Sequence, residues 1–431
     1  MSEQQQPQQR QKRLAIIGCG PSAMSTLITL VKAEQQQQQN IPEIVCFEKQ
    51  ESMGGQWIYT WRTDVDKYGV PISNSMYRDL RLNAPKEIIE FHDYTYKEHF
   101  GSRPVHSYCS RQSMLDYLQG RAKKYDIERF VKFQTLVLNV KQVDKACFHV
   151  QYENLQTGKI STETFNYVVV ACGMFSTPNV PEYPGINTFP GRVLHSHSFR
   201  RIEELSSVKT LLVIGSSWSA IDITSVHQLQ QPNMKDKITL ISHRKDQPKY
   251  PKLKWSVVEA PSSVITVPDL IKVSGRVCHF KDGSQHNEVD MIIFATGYKL
   301  DFRFLEENLR LKSKSSFVYN ELYKGVFFQN NPNLMYVGMI IPIVTFPVYD
   351  RQAWLVKEYI TGERLKSLPS VENRKNDIDK WMKKSSAIST GSSLSSFFVD
   401  YMYDLVKVCS LIVNIEVKST PVDNSIDFLP S

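Results

Sequence analysis

The sequence contains few of the features that mark membrane-spanning, metal-binding or disulfide-stabilised proteins. No apolar run reaches the roughly 18 residues that a membrane helix requires. The nearest candidate, residues 405–415, is interrupted by Lys407 and Asn414, and we expect it to be a buried helix or strand. The seven cysteines are an odd number, and no pair has the close spacing of a zinc site or a redox dithiol. These absences predict no membrane span, no metal ion, and reduced thiols in the cytoplasm.

The net charge of +8 is not concentrated in the way that a nucleic-acid partner would require. Positive side chains are spread along the chain, and the main basic cluster lies at residues 245–249. We therefore interpret the excess as a basic surface with pockets for phosphate-bearing cofactors, and we expect no nucleic acid to bind. The first 12 residues are polar and rich in glutamine, which is unlike a signal peptide.

Two strand-like runs, residues 14–18 and 211–215, are each followed at once by a glycine turn and a helix-like segment. Two further apolar runs, residues 167–173 and 291–297, both end in Ala-Xaa-Gly. Continuous apolar runs of this kind are typical of parallel strands that are buried on both faces. The repeat predicts an α/β fold with two Rossmann-like dinucleotide-binding domains, the second inserted into the first.

The first glycine loop matches the pattern G-x-G-x-x-G/A and lies directly between a strand and a helix. Its first glycine permits a tight turn, its second lets the backbone approach a pyrophosphate, and alanine in third place still allows close packing of helix on strand. The pyrophosphate would meet the free amides at the helix N-terminus. The predicted contacts of this loop are Gly18, Gly20, Pro21, Ser22 and Ala23.

The next strand ends in Glu48, whose carboxylate could bind the hydroxyl pair of a ribose. Its separation from Gly18 exceeds the usual distance of about 20 residues. The glutamine-rich residues 35–39 explain the excess, and we expect them to form a loop extension. A paired-glycine segment follows, in which backbone and a flat aromatic ring could lie along an extended cofactor: Gly54, Gly55, Gln56 and Trp57.

The second glycine loop departs from the pattern, because serine stands where the second glycine normally does. The strand that follows, residues 238–244, ends in His243 and Arg244 and not in a carboxylate. A carboxylate would bind the free ribose hydroxyls of NAD, whereas an arginine accommodates the 2′-phosphate of NADP. We therefore predict NADP at this loop, which comprises Gly215, Ser216, Ser217, Trp218 and Ser219.

A longer pattern, F-x-G-x-x-x-H-x-x-x-F/Y, runs through Phe189, Gly191, His195 and Phe199. It resembles the fingerprint of the class B flavin monooxygenases, and it lies just ahead of the second glycine loop, as in that family. The resemblance to the bacterial trimethylamine monooxygenases is closest and covers roughly residues 14–354. It is carried by segments such as GGQW at 54–57, YTWRT at 59–63, NAPKE at 83–87 and QAW at 352–354.

The resemblance implies an enzyme that uses FAD, NADPH and dioxygen to oxygenate the nitrogen or sulfur of a small nucleophile through a flavin hydroperoxide. Because the cofactor carries the difficult chemistry, the protein needs no general base or covalent nucleophile. By position, Asn83 would lie beside the oxygen-reacting carbon of the flavin. The other FAD residues that the resemblance implies are Glu48, Lys49, Gln50, Gln56, Trp57, Val137 and Gln352. The implied NADP residues are Tyr77, Ser216, Ser217, Trp218, Ser219 and Arg244.

Two departures from the resemblance narrow the expected substrate. Trp218 stands where the trimethylamine enzymes carry tyrosine, and residues 340–344 are apolar where those enzymes carry a polar and aromatic stretch. An aromatic cage binds an alkylammonium group through ring faces, and Ile343 and Val344 have no such faces. We therefore expect a bulkier, more apolar amine or thioether than trimethylamine.

Two other functions stay open at this stage: a Baeyer–Villiger-type monooxygenase acting on ketones, and a non-catalytic scaffold that binds flavin and NADPH. A flavin-dependent disulfide reductase is excluded, because it needs a close cysteine pair near the flavin. Whether the chain forms a homodimer is also open. We expect a disordered tail over residues 1–13, an FAD-binding domain over 14–175 and 301–431, and an NADP-binding domain over 176–300.

Overall fold

The computed structural model describes residues 11–229, 237–242, 263–312, 317–340, 344–388 and 391–413. Its α-helices are α1 Pro21–Gln35, α2 Tyr96–Phe100, α3 Arg111–Lys124, α4 Trp218–Leu229, α5 Thr345–Thr361, α6 Val371–Ser386 and α7 Gly391–Val413. Its strands are β1 Arg13–Ile17, β2 Glu43–Phe47, β3 Val131–Lys132, β4 Thr135–Asp144, β5 Cys147–Asn154, β6 Lys159–Phe165, β7 Tyr167–Val170, β8 Thr177–Pro178, β9 Arg192–His195, β10 Thr210–Ile214, β11 Ile238–Ser242, β12 Val264–Val267, β13 Leu270–Ser274, β14 Val277–Phe280, β15 Gln285–His286, β16 Met291–Phe294, β17 Tyr298–Lys299, β18 Leu322–Tyr323, β19 Phe327–Phe328 and β20 Leu334–Tyr336.

The first sheet has seven strands in the order β18-β19-β20-β7-β1-β2-β3. Strand β1 lies at its centre and pairs in parallel with β2 and β7, so that Ile16 faces Cys46 on one side and Val169 on the other. These three residues are fully buried, because helices cover one face of the sheet and a smaller sheet covers the other. The apolar runs of the sequence therefore form buried parallel strands, as predicted.

The second sheet has five parallel strands in the order β12-β11-β10-β16-β9. All of them lie in sequence between β7 and β18, which are both strands of the first sheet. The two short connecting strands, β8 and β17, pair with each other in antiparallel fashion. This arrangement confirms the predicted fold class, in which one dinucleotide-binding unit is inserted into another.

Two regions of the fold were not predicted from the sequence, apart from the buried segment expected at residues 405–415. Strands β4, β5 and β6 form a three-stranded antiparallel sheet that packs over the first sheet through residues such as Val140, Phe148 and Phe165. Helices α6 and α7 pack into the other hydrophobic core, the one that contains α1 and α5. There the ring of Trp381 lies edge-on to Phe397 at 5.5 Å. The expected buried segment at 405–415 begins inside α7, and its last two residues lie outside the described residues.

The described region begins at residue 11, two residues before the expected end of the N-terminal tail at residue 13. Strand β1 begins at Arg13, one residue before the expected start of the first domain, and residues 1–10 lie outside the described residues. Helix α1 ends at Gln35, and the glutamine-rich stretch beyond it forms a turn. No helix within the described ranges is both long and apolar enough to cross a membrane.

Candidate active site

The first glycine loop is shaped by a close approach of two backbone segments. Gly18 follows β1 with φ +92°, and a Cβ atom added to it would lie 2.9 Å from the carbonyl oxygen of Ala171, at the end of β7. The Gly18 amide donates to the Phe47 carbonyl at 2.8 Å, at the end of β2. The turn is thus wedged between the carboxyl ends of two neighbouring strands, where only glycine combines this φ with this spacing.

The second glycine of this loop meets the paired glycines that follow Glu48. A Cβ atom on Gly55 would lie 2.8 Å from the Cα atom of Gly20, and the Gly54 amide donates to Cys19 O at 3.0 Å. Helix α1 starts directly after Gly20 with no side-chain cap on its first-turn amides. Bare backbone and free amides at a helix N-terminus are what a pyrophosphate requires.

Glu48 is held against this loop by two backbone amides. Its Oε2 accepts a bond from Cys19 N at 2.5 Å, its Oε1 accepts one from Gln50 N at 2.8 Å, and the residue is 4% exposed. Burial raises the pKa of the carboxyl group, and the two amide bonds offset part of that rise. A carboxylate fixed at the end of β2, beside a glycine loop, has the chemistry to bind a ribose hydroxyl pair.

The neighbours of Glu48 divide into two groups. Gln56 binds the loop that follows, because its Oε1 accepts from Ser75 N at 2.8 Å and its Nε2 donates to Ser73 O at 2.7 Å. Lys49 donates to Ser73 Oγ at 2.7 Å, so its ammonium group lies against the same loop. Gln50 and Trp57 stay close to the paired glycines, through Gly55 O and Gly54 O respectively.

Gln352 reaches the first glycine loop from α5, far away in sequence. It is fully buried, and its Oε1 accepts a bond from Gly338 N at 3.0 Å. A Cβ atom on Gly338 would lie 2.8 Å from Cβ of Ser22, in the first turn of α1. The structure therefore brings Gln352 to within one intervening residue of the predicted pyrophosphate site.

Val137 and Asn83 take different positions around this region. Val137 is buried on β4, whose first residue, Thr135, donates its amide to Glu48 O at 2.9 Å. Val137 therefore lies next to the end of β2, where Glu48 is found. Asn83 is exposed in the segment before the short 3₁₀ helix Lys86–Ile89.

The second glycine loop repeats the geometry of the first. Gly215 has φ +122°, and an added Cβ atom would lie 2.2 Å from Ala295 O, at the end of β16. Its amide donates to Ser242 O at 2.9 Å, at the end of β11. Residues 216–219 are exposed, with Trp218 38% exposed at the start of α4. Arg244 and His243 lie outside the described residues.

The fingerprint pattern forms the edge of the second sheet next to this loop. An added Cβ atom at Gly191 would lie 2.2 Å from Asp290 O, so the start of β9 packs directly on backbone. His195 ends β9 and is buried 5.3 Å from the ring of Tyr298, and this burial lowers its pKa to about 4. Phe199 is fully buried against Tyr77 at 5.1 Å. The pattern is therefore a packing element, with a neutral imidazole at neutral pH.

Two contacts that join the units of the two sheets could not be predicted from the sequence. Arg200, which directly follows the fingerprint, donates from Nε to Arg62 O at 2.8 Å and from Nη2 to Asn74 O at 2.9 Å. The side chain of Asn74 donates in turn to Gly55 O at 2.7 Å. The position of Arg200 after the fingerprint was the only available signal.

Tyr77 makes the second contact between the sheets. Its hydroxyl donates to Asp222 Oδ2 on α4 at 2.5 Å; Tyr77 is buried and Asp222 is half-buried. Burial and the Asp222 carboxylate raise the pKa of Tyr77 well above its ordinary value, so the phenol stays protonated. The residue predicted to contact NADP thus anchors the helix that begins at the second glycine loop.

Comparisons with known proteins agree with this geometry. A family model described as flavin-binding monooxygenase-like matches residues 11–248 and 254–419. A trimethylamine monooxygenase of Methylocella silvestris is 45% identical over 396 residues, which are 91% of this chain and 84% of that protein. One from Pelagibacter ubique is 40% identical over 393 residues, with 91% and 84% covered.

Solved structures give the same picture. The crystal structure of Tmm from a Pelagibacter species has a TM-score of 0.83 at 38% identity, covering 92% of this chain and 86% of that one. An S-allyl-L-cysteine S-oxygenase from Allium sativum has a TM-score of 0.76 at 26% identity, covering 93% and 88%. The open form of a cyclohexanone monooxygenase shares only the fold, at 14% identity and a TM-score of 0.63, covering 93% and 98%.

Three features define a dinucleotide-dependent flavoenzyme: the two glycine loops, the Glu48 carboxylate beside the first of them, and the fingerprint pattern. The chain belongs to the flavin-binding monooxygenase-like family. The predicted family, the enzyme class and the two cofactors, FAD and NADPH, are thereby confirmed.

Proposed function

We propose that this enzyme transfers one oxygen atom of dioxygen to the nitrogen of a tertiary amine or the sulfur of a thioether. The other oxygen atom leaves as water, and NADPH supplies the two electrons. The observation that carries this proposal is the pair of glycine loops at Gly18 and Gly215, which offers one chain a site for FAD and a site for NADPH. The contacts from Arg200 through Asn74 to Gly55 tie the two units together. A relative named trimethylamine monooxygenase and a structural neighbour named S-allyl-L-cysteine S-oxygenase support this substrate class.

The proposed FAD site is the bare backbone between Gly20 and Gly55, with Glu48 at its ribose end. A Cβ atom at Gly55 would fill the space where the two segments meet, which supports a cofactor lying along this backbone. When bound there, FAD supplies the oxygen-activating chemistry. The share of the chain is to fix the cofactor and exclude water. Asn83 is proposed to face the flavin, where its amide can donate and accept bonds without adding charge.

The proposed NADPH site is the exposed loop at residues 216–219. Trp218 begins α4, and Tyr77 holds that helix through Asp222. Exposed hydroxyls and amides at a helix N-terminus favour a phosphate group. Arg244 is proposed to bind the 2′-phosphate, because arginine presents several donors in a planar fork.

We propose that the substrate is larger and more apolar than trimethylamine. Ile340 is buried and Val344 is half-buried at the start of α5, so the described ends of residues 340–344 have no ring faces to offer an alkylammonium group. Trimethylamine, for which two of the relatives are named, is the competing substrate.

The test is substrate-stimulated NADPH oxidation, with products identified by mass spectrometry. Trimethylamine, dimethylaniline, a dialkyl sulfide and cyclohexanone would be compared at equal concentration. We expect oxides of the apolar amine and the sulfide, at a higher kcat/KM than for trimethylamine. Turnover of the ketone alone would replace this proposal with Baeyer–Villiger chemistry, and no product from any compound would make the chain a non-catalytic scaffold.

Gly20→Val tests the placement of FAD. A branched side chain at this position would fill the gap against Gly55 and keep the backbone away from a pyrophosphate. The purified variant is expected to be colourless, whereas Gly69→Asn, at a turn glycine with open space around it and a φ of +79° that asparagine tolerates, should remain yellow. Normal FAD content in Gly20→Val would refute the proposed position.

Three further predictions concern the organisation of the protein. We propose that residues 14–175 and 301–431 form the FAD domain and residues 176–300 the NADP domain, which the strand membership of the two sheets supports. The seven free cysteines support a location in the reducing cytoplasm. Cell fractionation tests the location, and light scattering tests whether the chain is a homodimer.

A further inference from the structure

A buried chain of polar groups leads from the last helix to the first glycine loop. The Gly338 amide donates to Gln352 Oε1 at 3.0 Å, and Gln352 Nε2 donates to the Tyr401 hydroxyl at 2.9 Å. Tyr401 in turn donates its hydroxyl proton to Lys324 O at 2.9 Å. Each group has one partner on each side, so the direction of every bond in the chain is determined. Tyr401 lies on α7, about fifty residues beyond Gln352 and more than sixty beyond Gly338.

This chain of bonds sets the orientation of the Gln352 side chain. An amide that donates to Tyr401 from nitrogen must present its oxygen to the Gly338 amide, and a flipped amide would lose both bonds. Gln352 has no exposed surface, so water does not compete for either bond. The Gly338 amide, which can only donate, selects the orientation of the Gln352 amide, and the Tyr401 hydroxyl, whose proton goes to Lys324 O, holds that orientation by accepting from Nε2.

The far end of the chain is anchored by charge. Lys324 Nζ lies 2.7 Å from Asp377 on α6 and 2.6 Å from Asp404 on α7. Burial alone would lower the pKa of Lys324, but the two carboxylates outweigh it and raise the pKa. The lysine thus stays charged and fixes both helices to the turn between β18 and β19. Tyr401 is held on the same turn through the Lys324 carbonyl.

The near end of the chain reaches the proposed cofactor. Gly338 packs on Ser22 so closely that an added Cβ atom would lie 2.8 Å from the serine Cβ atom. Any displacement of the Gly338 amide would change the width of the space beside the first turn of α1. This is the turn whose free amides are proposed to bind the FAD pyrophosphate.

We propose that Tyr401 is a positioning residue of the flavin site: through Gln352 it fixes the Gly338 backbone against helix α1, and so sets the environment of bound FAD. This inference rests on the FAD placement proposed above. It makes the two C-terminal helices part of the cofactor site, although Tyr401 itself is separated from that site by Gln352 and Gly338.

The experiment compares Tyr401→Phe with two matched controls in the holoenzyme. Tyr401→Phe removes one oxygen atom and keeps the ring that packs edge-on to Trp381 at 5.7 Å. Tyr403→Phe removes the same atom from a tyrosine on the same helix that is 49% exposed. Trp381→Phe damages the same cluster of rings and leaves the hydroxyl in place. FAD dissociation, the visible flavin spectrum, the flavin midpoint potential and the melting temperature are measured for each.

We expect Tyr401→Phe to raise the Kd of FAD about tenfold, because a buried amide N–H loses its partner. We also expect shifts in the flavin absorption maxima and midpoint potential. Tyr403→Phe should match the wild type in all measurements. Trp381→Phe should lower the melting temperature and leave the spectrum and potential unchanged. Wild-type FAD affinity, spectrum and potential in Tyr401→Phe would overturn the proposal, as would equal flavin shifts in Trp381→Phe.

Two more variants separate this proposal from the FAD placement on which it rests. Gly338→Ala would crowd Ser22 and should weaken FAD binding; if it binds FAD normally, the placement itself is wrong. If Gly338→Ala loses FAD but Tyr401→Phe does not, only the role of Tyr401 fails. Gln352→Leu, alone and combined with Tyr401→Phe, tests the route: the two effects on Kd should be far from additive if Tyr401 acts through Gln352.

Discussion

Replacing Arg200 with methionine should loosen the join between the two dinucleotide-binding units. Arg200 is 3% exposed, and its guanidinium group donates to two carbonyls, those of Arg62 and Asn74. The Asn74 carbonyl is buried and the Arg62 carbonyl is part-buried. Each costs up to about 1–3 kcal/mol when it loses its donor, so the two together predict at most about 2–6 kcal/mol. Burying a guanidinium group is itself unfavourable, and methionine avoids that cost. We therefore expect the lower half of the range, about 2–4 kcal/mol.

The effect should reach the flavin because Asn74 also donates to Gly55 O. In urea titrations, Arg200→Met should release FAD at a lower denaturant concentration than the wild type does. In turnover, a larger share of the NADPH consumed should end as hydrogen peroxide, because a loosened cradle admits water. Arg201→Met, at the exposed neighbouring arginine, is the control and should match the wild type. An Arg200→Met enzyme with the wild-type FAD release and peroxide yield would refute this reasoning.

Three other perturbations have defined outcomes. Arg244→Ala should reduce the preference for NADPH over NADH about ten- to a hundred-fold, measured as the ratio of Michaelis constants, because a charge-assisted bond to phosphate is lost. Trp218→Ala should keep its FAD and yet release more hydrogen peroxide per NADPH, and an unchanged peroxide yield would leave Trp218 a packing residue. Burial alone would raise the pKa of Asp93, but its bonds to Arg121 outweigh this and help to lower the pKa to about 2. The stability that Asp93 contributes is therefore complete above its ordinary value of about 4 and is lost as the pH falls towards 2; acid titration of Asp93→Asn should lack this component.

The parts of the site that could be predicted from the sequence are those whose chemistry is local. Gly18 and Gly215 stand directly after apolar strands, and the turn that each makes depends on its own conformation and on the next strand. Glu48 could be placed because it ends the strand that follows the first loop. In each case a few neighbouring residues carry the whole signal, so a short pattern is enough.

The parts that could not be predicted depend on pairs of residues that are distant in sequence. Arg200 and Asn74 are 126 positions apart, and Gln352 and Tyr401 are 49 apart. Arginine side chains and backbone carbonyls, or tyrosine hydroxyls and side-chain amides, occur throughout any protein. Such groups become informative only when the fold brings one particular pair together. The sheet of β4, β5 and β6 was missed for a related reason, because its half-exposed strands carry no glycine loop and no continuous apolar run.

The pairing of β8 with β17 has a practical consequence for dissecting the enzyme. The chain leaves the first unit at Thr177–Pro178 and returns at Tyr298–Lys299, and these two strands lie side by side with Pro178 opposite Tyr298. A short turn can therefore replace everything between them without stretching the flanking chain. Such an excised protein would keep every strand of the seven-stranded sheet but lack Arg200, so comparing its FAD binding with that of the full chain would measure what the inserted unit contributes to the flavin site.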